Sequence, residues 1–256
     1  MMLPLQDGLL VRETGSEDFW LYCDLNDDGV ADEKIKIYEG DSDSGNIEHQ
    51  SGGLILNLDN WIYVTMSSQR FRLRGTNVLV ETIPSNGGQW GLSHDDYGKQ
   101  WFVNAGGNLG PIQFQQPFHY GRFSVSDELE TGFKEVWPLA GLGDVEEGKH
   151  RFRPEDGTLN HFTSTCGGEI FRGDRLPSDL RGDFFFAEPV GRLIRHARVE
   201  VSDGITRLRN AYPKSEFIRS TDPNFRPVNL TTAPDGTLYI VDMYRGIIQE
   251  GAWLGK

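Results

Sequence analysis

Four times along this chain an apolar stretch runs into a turn of Asp, Asn or Gly and returns as a second stretch rich in aromatic and β-branched residues. The copies run from Leu54 to Val64, Trp90 to Val103, Gly168 to Ala187 and Val228 to Val241. The last is the clearest, because Pro234-Asp235-Gly236 separates its two halves. Proline presets φ for such a turn and glycine accepts a positive φ, so the loop has a physical reason to bend there. Trp61 and Trp101 stand on the order of 40 residues apart, about one propeller blade. Irregular repetition at this spacing predicts an all-β fold, a β-propeller rather than a sandwich. About four blades are covered, and a closed ring of about six needs more chain, so an open or incomplete ring is expected.

The composition fits many short strands joined by tight turns, with 31 glycines and 12 prolines. A chain of 256 residues can bury one sizeable core, as one domain or two small ones. The net charge is −13 with no basic stripe, a surface that repels phosphate backbones and excludes nucleic acid as a partner. No apolar run approaches the roughly 20 residues a membrane span requires. The first residues, Met1-Met2-Leu3-Pro4-Leu5-Gln6-Asp7, have neither the basic nor the apolar region of a signal peptide. Cys23 and Cys166 lie in no CxxC or CxxCH pattern, which removes zinc-ribbon and covalent-haem readings. A bridge between them and two separate buried thiols both stay open.

The chain therefore reads as a single partial propeller domain. Residues 1–47 are a lead-in carrying an Asp-rich loop, and 48–119 are blades that include His49. Residues 120–160 are polar and lack alternation, an inter-blade insertion with room for a short helix, and 161–256 are the C-terminal blades. Pro177-Ser178-Asp179-Leu180 reads as a helical turn ahead of a strand.

Three features carry chemistry. The first is the loop Asp24-Leu25-Asn26-Asp27-Asp28-Gly29-Val30-Ala31-Asp32. Asp24, Asn26 and Asp28, the turn Gly29, the Val30 carbonyl and Asp32 match the first nine positions of a calcium loop. Ile35 stands where an EF-hand has its bidentate glutamate, so a structural calcium site and a solvated acidic turn both fit. The second is His49, just ahead of a strand: an imidazole at a blade's inner edge can take a hydroxyl proton, although a surface histidine reads the same way. The third is the arginines Arg192, Arg226 and Arg245. Each can reach an anionic group or clamp carbonyls between blades. Trp61, Trp90 and Trp101 are stacking platforms or core. Cys166, among small residues, reads as packing rather than a nucleophile.

His49-Gln50-Ser51-Gly52-Gly53-Leu54 and the strand-turn-strand after it resemble the active-site blade of soluble pyrroloquinoline-quinone (PQQ)-dependent glucose and aldose-sugar dehydrogenases. A closer resemblance, over nearly the whole chain, is to the membrane-bound dehydrogenase type of planctomycete-type bacteria. It is carried by Asn86-Gly87-Gly88-Gln89-Trp90-Gly91-Leu92, His161-Phe162-Thr163-Ser164-Thr165-Cys166-Gly167-Gly168 and Phe171-Arg172-Gly173-Asp174-Arg175-Leu176-Pro177. It continues in Glu188-Pro189-Val190-Gly191-Arg192-Leu193, Ser220 to Leu230, and Asp242-Met243-Tyr244-Arg245-Gly246-Ile247.

The resemblance implies a six-bladed propeller of the quinoprotein sugar dehydrogenase type, of which this chain is a part. It implies His49 as the base that accepts a proton from a sugar or alcohol hydroxyl. Gln50, Gln89, Arg226 and Arg245 would then hold the PQQ. Asn104-Ala105-Gly106-Gly107-Asn108 resembles a calcium-binding loop, which makes the Gly106 and Gly107 carbonyls metal ligands, though a plain Gly-rich turn explains them equally. Where the sugar dehydrogenases carry an Arg-Asn pair, this chain has Gly87-Gly88. Family members continue into helical repeats and a cytochrome c domain. That implies a periplasmic or cell-envelope location, with electrons passed to a cytochrome c domain or partner. A propeller that binds carbohydrate or protein without a cofactor is the alternative.

Overall fold

The computed structural model describes residues 1–6, 8–41, 50–75, 77–88, 90–104, 114–115, 119–120, 123–124, 128–141 and 151–247. The chain divides into two compact units, Met1–Leu92 and Ser93–Lys256.

The first unit holds two four-stranded sheets. Strands β1 (Met2–Leu5), β2 (Gly8–Arg12), β3 (Phe19–Cys23) and β4 (Glu33–Tyr38) pair in chain order as one antiparallel meander. Strands β5 (Ile55–Leu56), β6 (Ile62–Tyr63), β7 (Gln69–Arg74) and β8 (Asn77–Thr82) form the second. Leu10 and Phe19 of the first sheet pack with Ile62, Val64 and Phe71 of the second. The Phe19 and Phe71 rings meet edge to face at 4.6 Å, a geometry that aromatic quadrupoles favour. Alternation along β3 sends Phe19 to this core and Trp20 to the other face, where the Lys34 ammonium lies 4.2 Å from the Trp20 ring centroid. Strands β1 to β4 thus lie in the described part of the 1–47 segment expected as a lead-in.

The second unit is built around one large sheet. Ahead of it come the hairpins β9 (Ser93–His94) with β10 (Gln100–Trp101), and β11 (His119–Tyr120) with β12 (Phe123–Ser124). The large sheet has the order β13 (Glu128–Leu129), β17 (Ile205–Asn210), β16 (Leu193–Ser202), β15 (Phe184–Glu188), β14 (Cys166–Ile170). Within it β13 runs parallel to β17 and the other ladders are antiparallel. The short β18 (Ile218–Arg219) also pairs with β16, and β19 (Pro227–Thr232) with β20 (Leu238–Asp242) forms a further hairpin. A 3₁₀ turn at Ser178–Leu180 leads to β15 where the sequence placed a helical turn.

Strand β15 shows why this sheet is central. Its residues Phe184-Phe185-Phe186-Ala187 are all fully buried. Phe184 and Phe186 face a core with Trp101, Phe114 and Phe162, while Phe185 faces another with Phe171, Ile194 and Leu230. A strand covered on both faces reads as a continuous apolar run, as this one does. The architecture is all-β, and among the described residues no helix is long and apolar enough to cross a membrane.

The stretch expected as a polar insertion is docked on this sheet. Phe133, Val136 and Leu159 are buried in its core, and no α-helix lies among its described residues. The anchor is Arg195 on β16. Its Nε and Nη2 donate to the Glu216 carboxylate at 2.6 Å each, and both side chains are fully buried. Nη1 donates to the Phe133 carbonyl and Nη2 to the Glu135 carbonyl, both at 2.7 Å. Glu216 in turn accepts the Trp137 amide at 3.0 Å. Removing one partner leaves a charge buried and unpaired. Glu216→Ala is expected to lower unfolding free energy by about 3–5 kcal/mol, read from urea titration monitored by circular dichroism.

Candidate functional site

His49, Gln89, Gly106 and Gly107 lie outside the described residues. What is described is the segment that follows His49. Gly52 donates its amide to Thr65 Oγ1 at 2.5 Å, and Thr65 returns its amide to the Gly52 carbonyl at 2.7 Å. A Cβ built on Gly52 would stand 3.3 Å from the Trp90 amide nitrogen, and one on Gly53 would stand 3.2 Å from Gly91 Cα. The two motif segments therefore touch backbone to backbone, an approach that only glycine allows without displacement. Gly53 also has a φ of 58°. Asn86 secures the other side: its Nδ2 donates to the Val64 carbonyl at 2.8 Å and its Oδ1 accepts the Ser67 amide at 2.9 Å. Gln50 follows His49 directly, and its Oε1 accepts the Gly15 amide at 3.1 Å.

Trp90 itself has a φ of 68°. For a bulky residue this is an outlier, and holding it there costs about 1–3 kcal/mol.

The arginines separate by environment. Arg226 is buried, and its guanidinium donates to main-chain carbonyls: Nε to Arg245 at 3.0 Å, Nη1 to Pro189 at 3.0 Å, and Nη2 to Gly246. Its amide donates to Asp242 Oδ1 at 2.7 Å. This is the carbonyl clamp, and it turns the guanidinium toward backbone rather than toward a ligand. Arg245 is exposed and offers its carbonyl to that clamp. Arg192 is buried with a φ of 57° in the turn between β15 and β16. Arg226 and Arg245 thus come together, through backbone; Gln50 belongs to the first unit.

Two buried carboxyls in the second unit escaped the sequence reading. Glu188 is fully buried and accepts the amides of Thr163 and Ser164 at 3.0 Å each. Burial pushes its carboxyl above the usual range, against the pull of those amides. Glu169 accepts the Thr232 amide at 3.1 Å and is likewise pushed up by burial, opposed by Thr232, Arg172 and His94. Arg172 Nη1 lies 3.4 Å from His94 Nδ1. The available signal was a glutamate closing an all-apolar strand at 188 and another inside a buried strand at 169. Cys166 is buried and free, and burial pushes its thiol far above the ordinary value, so it is no nucleophile. Cys23 is also free, which leaves the two-thiol alternative.

The Asp24–Asp32 loop is ordered by its own side chains. Asp24 Oδ2 accepts the Gly29 amide at 2.7 Å, Asp28 Oδ1 the Val30 amide at 2.8 Å, and Asp32 Oδ2 the Leu25 amide at 2.8 Å. The Gly29 amide is the main cause holding the Asp24 carboxyl below its ordinary range. Among the described residues no three His, Cys, Asp or Glu side chains converge closely enough to hold a metal ion.

These features define an all-β protein of antiparallel meanders, with tightly packed glycine segments in one unit and buried ionisable groups in the other. The chain belongs to the family described as Domain of unknown function (DUF7133), whose model matches residues 1–256. No curated protein matches it. Among solved structures it is similar to an oxidoreductase (glucose dehydrogenase) from Thermus thermophilus, at 16% identity and a TM-score of 0.41, covering 93% of this chain and 88% of that one. It is also similar to a catalytically inactive virginiamycin B lyase from Staphylococcus aureus solved with quinupristin, at 14% identity and a TM-score of 0.43 over 94% and 81%. A third is the soluble aldose sugar dehydrogenase of Escherichia coli, at 15% identity and a TM-score of 0.38 over 94% and 91%.

A glutamate with a raised pKa in the fold keeps its proton to higher pH than it does in the unfolded chain. Its contribution to stability is complete below the ordinary Glu value and is lost as pH rises through the folded value. Glu169→Gln keeps an acceptor for the Thr232 amide. It is expected to remove part of the fall in urea midpoint between about pH 4 and pH 7, and a parallel curve for variant and parent would refute this.

Proposed function

We propose that this chain is a dehydrogenase-like propeller domain that oxidises a hydroxyl of a sugar or alcohol, with His49 as the base that takes the hydroxyl proton. The observation supporting it is the double-glycine mount: Gly52 and Gly53, fixed on Thr65 and on Trp90–Leu92, tie down the chain three and four residues after His49. A base works only if held within hydrogen-bond reach of its proton, and a rigid mount beside it serves that need. The Gln50 side chain, anchored on Gly15, adds a second fixed point.

The resemblance implies PQQ as the hydride acceptor, with electrons leaving to a cytochrome c domain or protein in the periplasm or cell envelope. The described residues do not build a cradle for its carboxylates, because Arg226 is engaged with the carbonyls of Pro189, Arg245 and Gly246. Arg245 remains as an exposed cation. The same observation favours the second reading, a carbohydrate- or protein-binding propeller without cofactor. The Asp24–Asp32 loop is kept as a structural calcium site on its spacing; Asp24 and Asp28 accept the Gly29 and Val30 amides, and the carboxylates would have to turn together around the ion.

Dye-coupled oxidation of aldoses, with PQQ and calcium added, tests the first reading. His49→Ala is expected to lower turnover by about 10²- to 10⁴-fold with little change in thermal midpoint; activity that survives the substitution would remove His49 as the base. Calcium alone is expected to raise the thermal midpoint of the parent but not of Asp24→Ala, and an equal rise in both would sink the loop assignment.

A further inference from the structure

Three neighbouring strands of the second unit bring polar groups together at one junction. Ser93 and His94 form β9, Glu169 lies on β14 with Arg172 just beyond its end, and Thr232 closes β19. The Ile170 amide donates to Ser93 Oγ at 3.2 Å, the Arg172 amide to Thr232 Oγ1 at 3.2 Å, and the Thr232 amide to Glu169 Oε1 at 3.1 Å. Thr232 ends the strand that Arg226 precedes, about 20 Å away along an extended chain, so this junction is remote from the arginine clamp.

The Arg172 guanidinium is half-buried, and its one contact is with His94 Nδ1 at 3.4 Å. That nitrogen also stands 3.0 Å from the Asp95 carbonyl oxygen. A carbonyl only accepts, so Nδ1 carries a proton and has no lone pair for Arg172. Among the described residues the guanidinium therefore has no acceptor. Gln100 stands opposite His94 in the β9–β10 ladder, which puts both side chains on one face. It is 4% exposed, and its Oε1 is buried without a hydrogen-bond partner. Turned over, that amide presents its NH2 as a donor instead.

The other charged groups around His94 are engaged. The Asp95 carboxylate accepts the Lys99 amide at 2.9 Å and the Trp101 indole N–H at 3.1 Å, and Lys99 Nζ donates to Thr206 Oγ1 at 3.3 Å. Glu169 is near enough to be pulled by Arg172 and His94, yet burial outweighs that pull and raises its carboxyl. What the set lacks is an acceptor for Arg172. The two oxygens of a carboxylate match the planar guanidinium fork.

We propose that Arg172, with Gln100 and His94 beside it, binds a small carboxylate at the junction of β9, β14 and β19. The proposal does not depend on the hydroxyl oxidation assigned to His49.

Sodium acetate titrated into the full chain at about pH 6 and about pH 7.5, with sodium chloride holding ionic strength constant, tests it. The readouts are the thermal midpoint and the NMR signals of the His94 ring, assigned by their loss in His94→Gln. Acetate is expected to move those signals to a plateau and to raise the midpoint. Arg172→Gln is expected to weaken acetate by at least about tenfold, and Arg172→Lys, which keeps the charge but not the fork, by less. Gln100→Leu removes the unmet amide. It is expected to keep or raise the midpoint without acetate, and to weaken acetate by about threefold or more. Glu169 ionises as pH rises and then repels an anion, so the parent is expected to bind more tightly at the lower pH. Glu169→Gln is expected to narrow that difference. Inorganic phosphate is the second probe, and a plateau with phosphate but none with acetate overturns the carboxylate. Equal acetate affinity in parent, Arg172→Gln and Gln100→Leu overturns the site. So does a drift with either salt that reaches no plateau.

Discussion

The Arg195–Glu216 pair sets a condition that much of the second unit must satisfy. Two charges taken fully out of water are tolerated only when geometry is good and every remaining donor is met. Here the guanidinium fork answers both carboxylate oxygens and still reaches two carbonyls of the 133–135 segment. A lysine offers a point charge and cannot reproduce that planar set of donors. The result is that the Phe133 and Glu135 carbonyls and the Trp137 amide, outside any regular strand, are met by the side chains of this pair. Glu188 does the same for the Thr163 and Ser164 amides, and Arg226 for the Pro189 and Gly246 carbonyls. Where a sheet is buried on both faces, the loops at its ends lose water, and charged side chains replace it.

That division of labour narrows what the arginines can do for a ligand. Arg226 stands where the family resemblance puts a cofactor contact, yet its donors hold three chain segments together. Turning it toward an anion would leave the Pro189 and Arg245 carbonyls without those donors. The first unit works differently. The segment after His49 in sequence is fixed by glycine backbones in contact and one threonine hydroxyl, all uncharged.

How much of this the sequence disclosed depended on where the signal was local. The turn at Pro234-Asp235-Gly236 and the apolar run Phe184 to Ala187 carry their structure in adjacent residues, and both formed as read. Strands β3 and β4 were hidden because Lys34 and Lys36 alternate with Ile35 and Ile37. Those lysines face Trp20, so the polar half of the pattern is a packed face that reads as a charged loop. Phe133 and Val136 sit among polar residues and become core through distant partners, among them Arg195, about 60 positions away. Whether Arg226 clamps or binds was undecidable from its neighbours, since the partners are carbonyls, which every residue has. Trp90 was one of three equivalent tryptophans in the sequence; a backbone angle distinguishes it.

The carboxylates of this acidic chain fall into two groups with opposite consequences for pH. Glu13, Asp18 and Asp24 are half-buried and Asp156 and Asp235 exposed, and hydrogen bonds hold each below its ordinary value. Such groups favour the fold above the unfolded pKa, and that support is lost as pH falls through the folded value. Glu169 and Glu188 are buried and pushed the other way, so they favour the fold at low pH and withdraw support as pH rises through their folded values. The first set includes the Asp24 loop and the hairpin turn at Asp235, where backbone amides and hydroxyls hold the carboxylates. The buried pair lies on one sheet, at Glu169 of β14 and Glu188 of β15, and is little affected by salt. The two groups therefore act in opposite directions as pH changes, and what separates them is burial: hydrogen bonds set the first, desolvation the second.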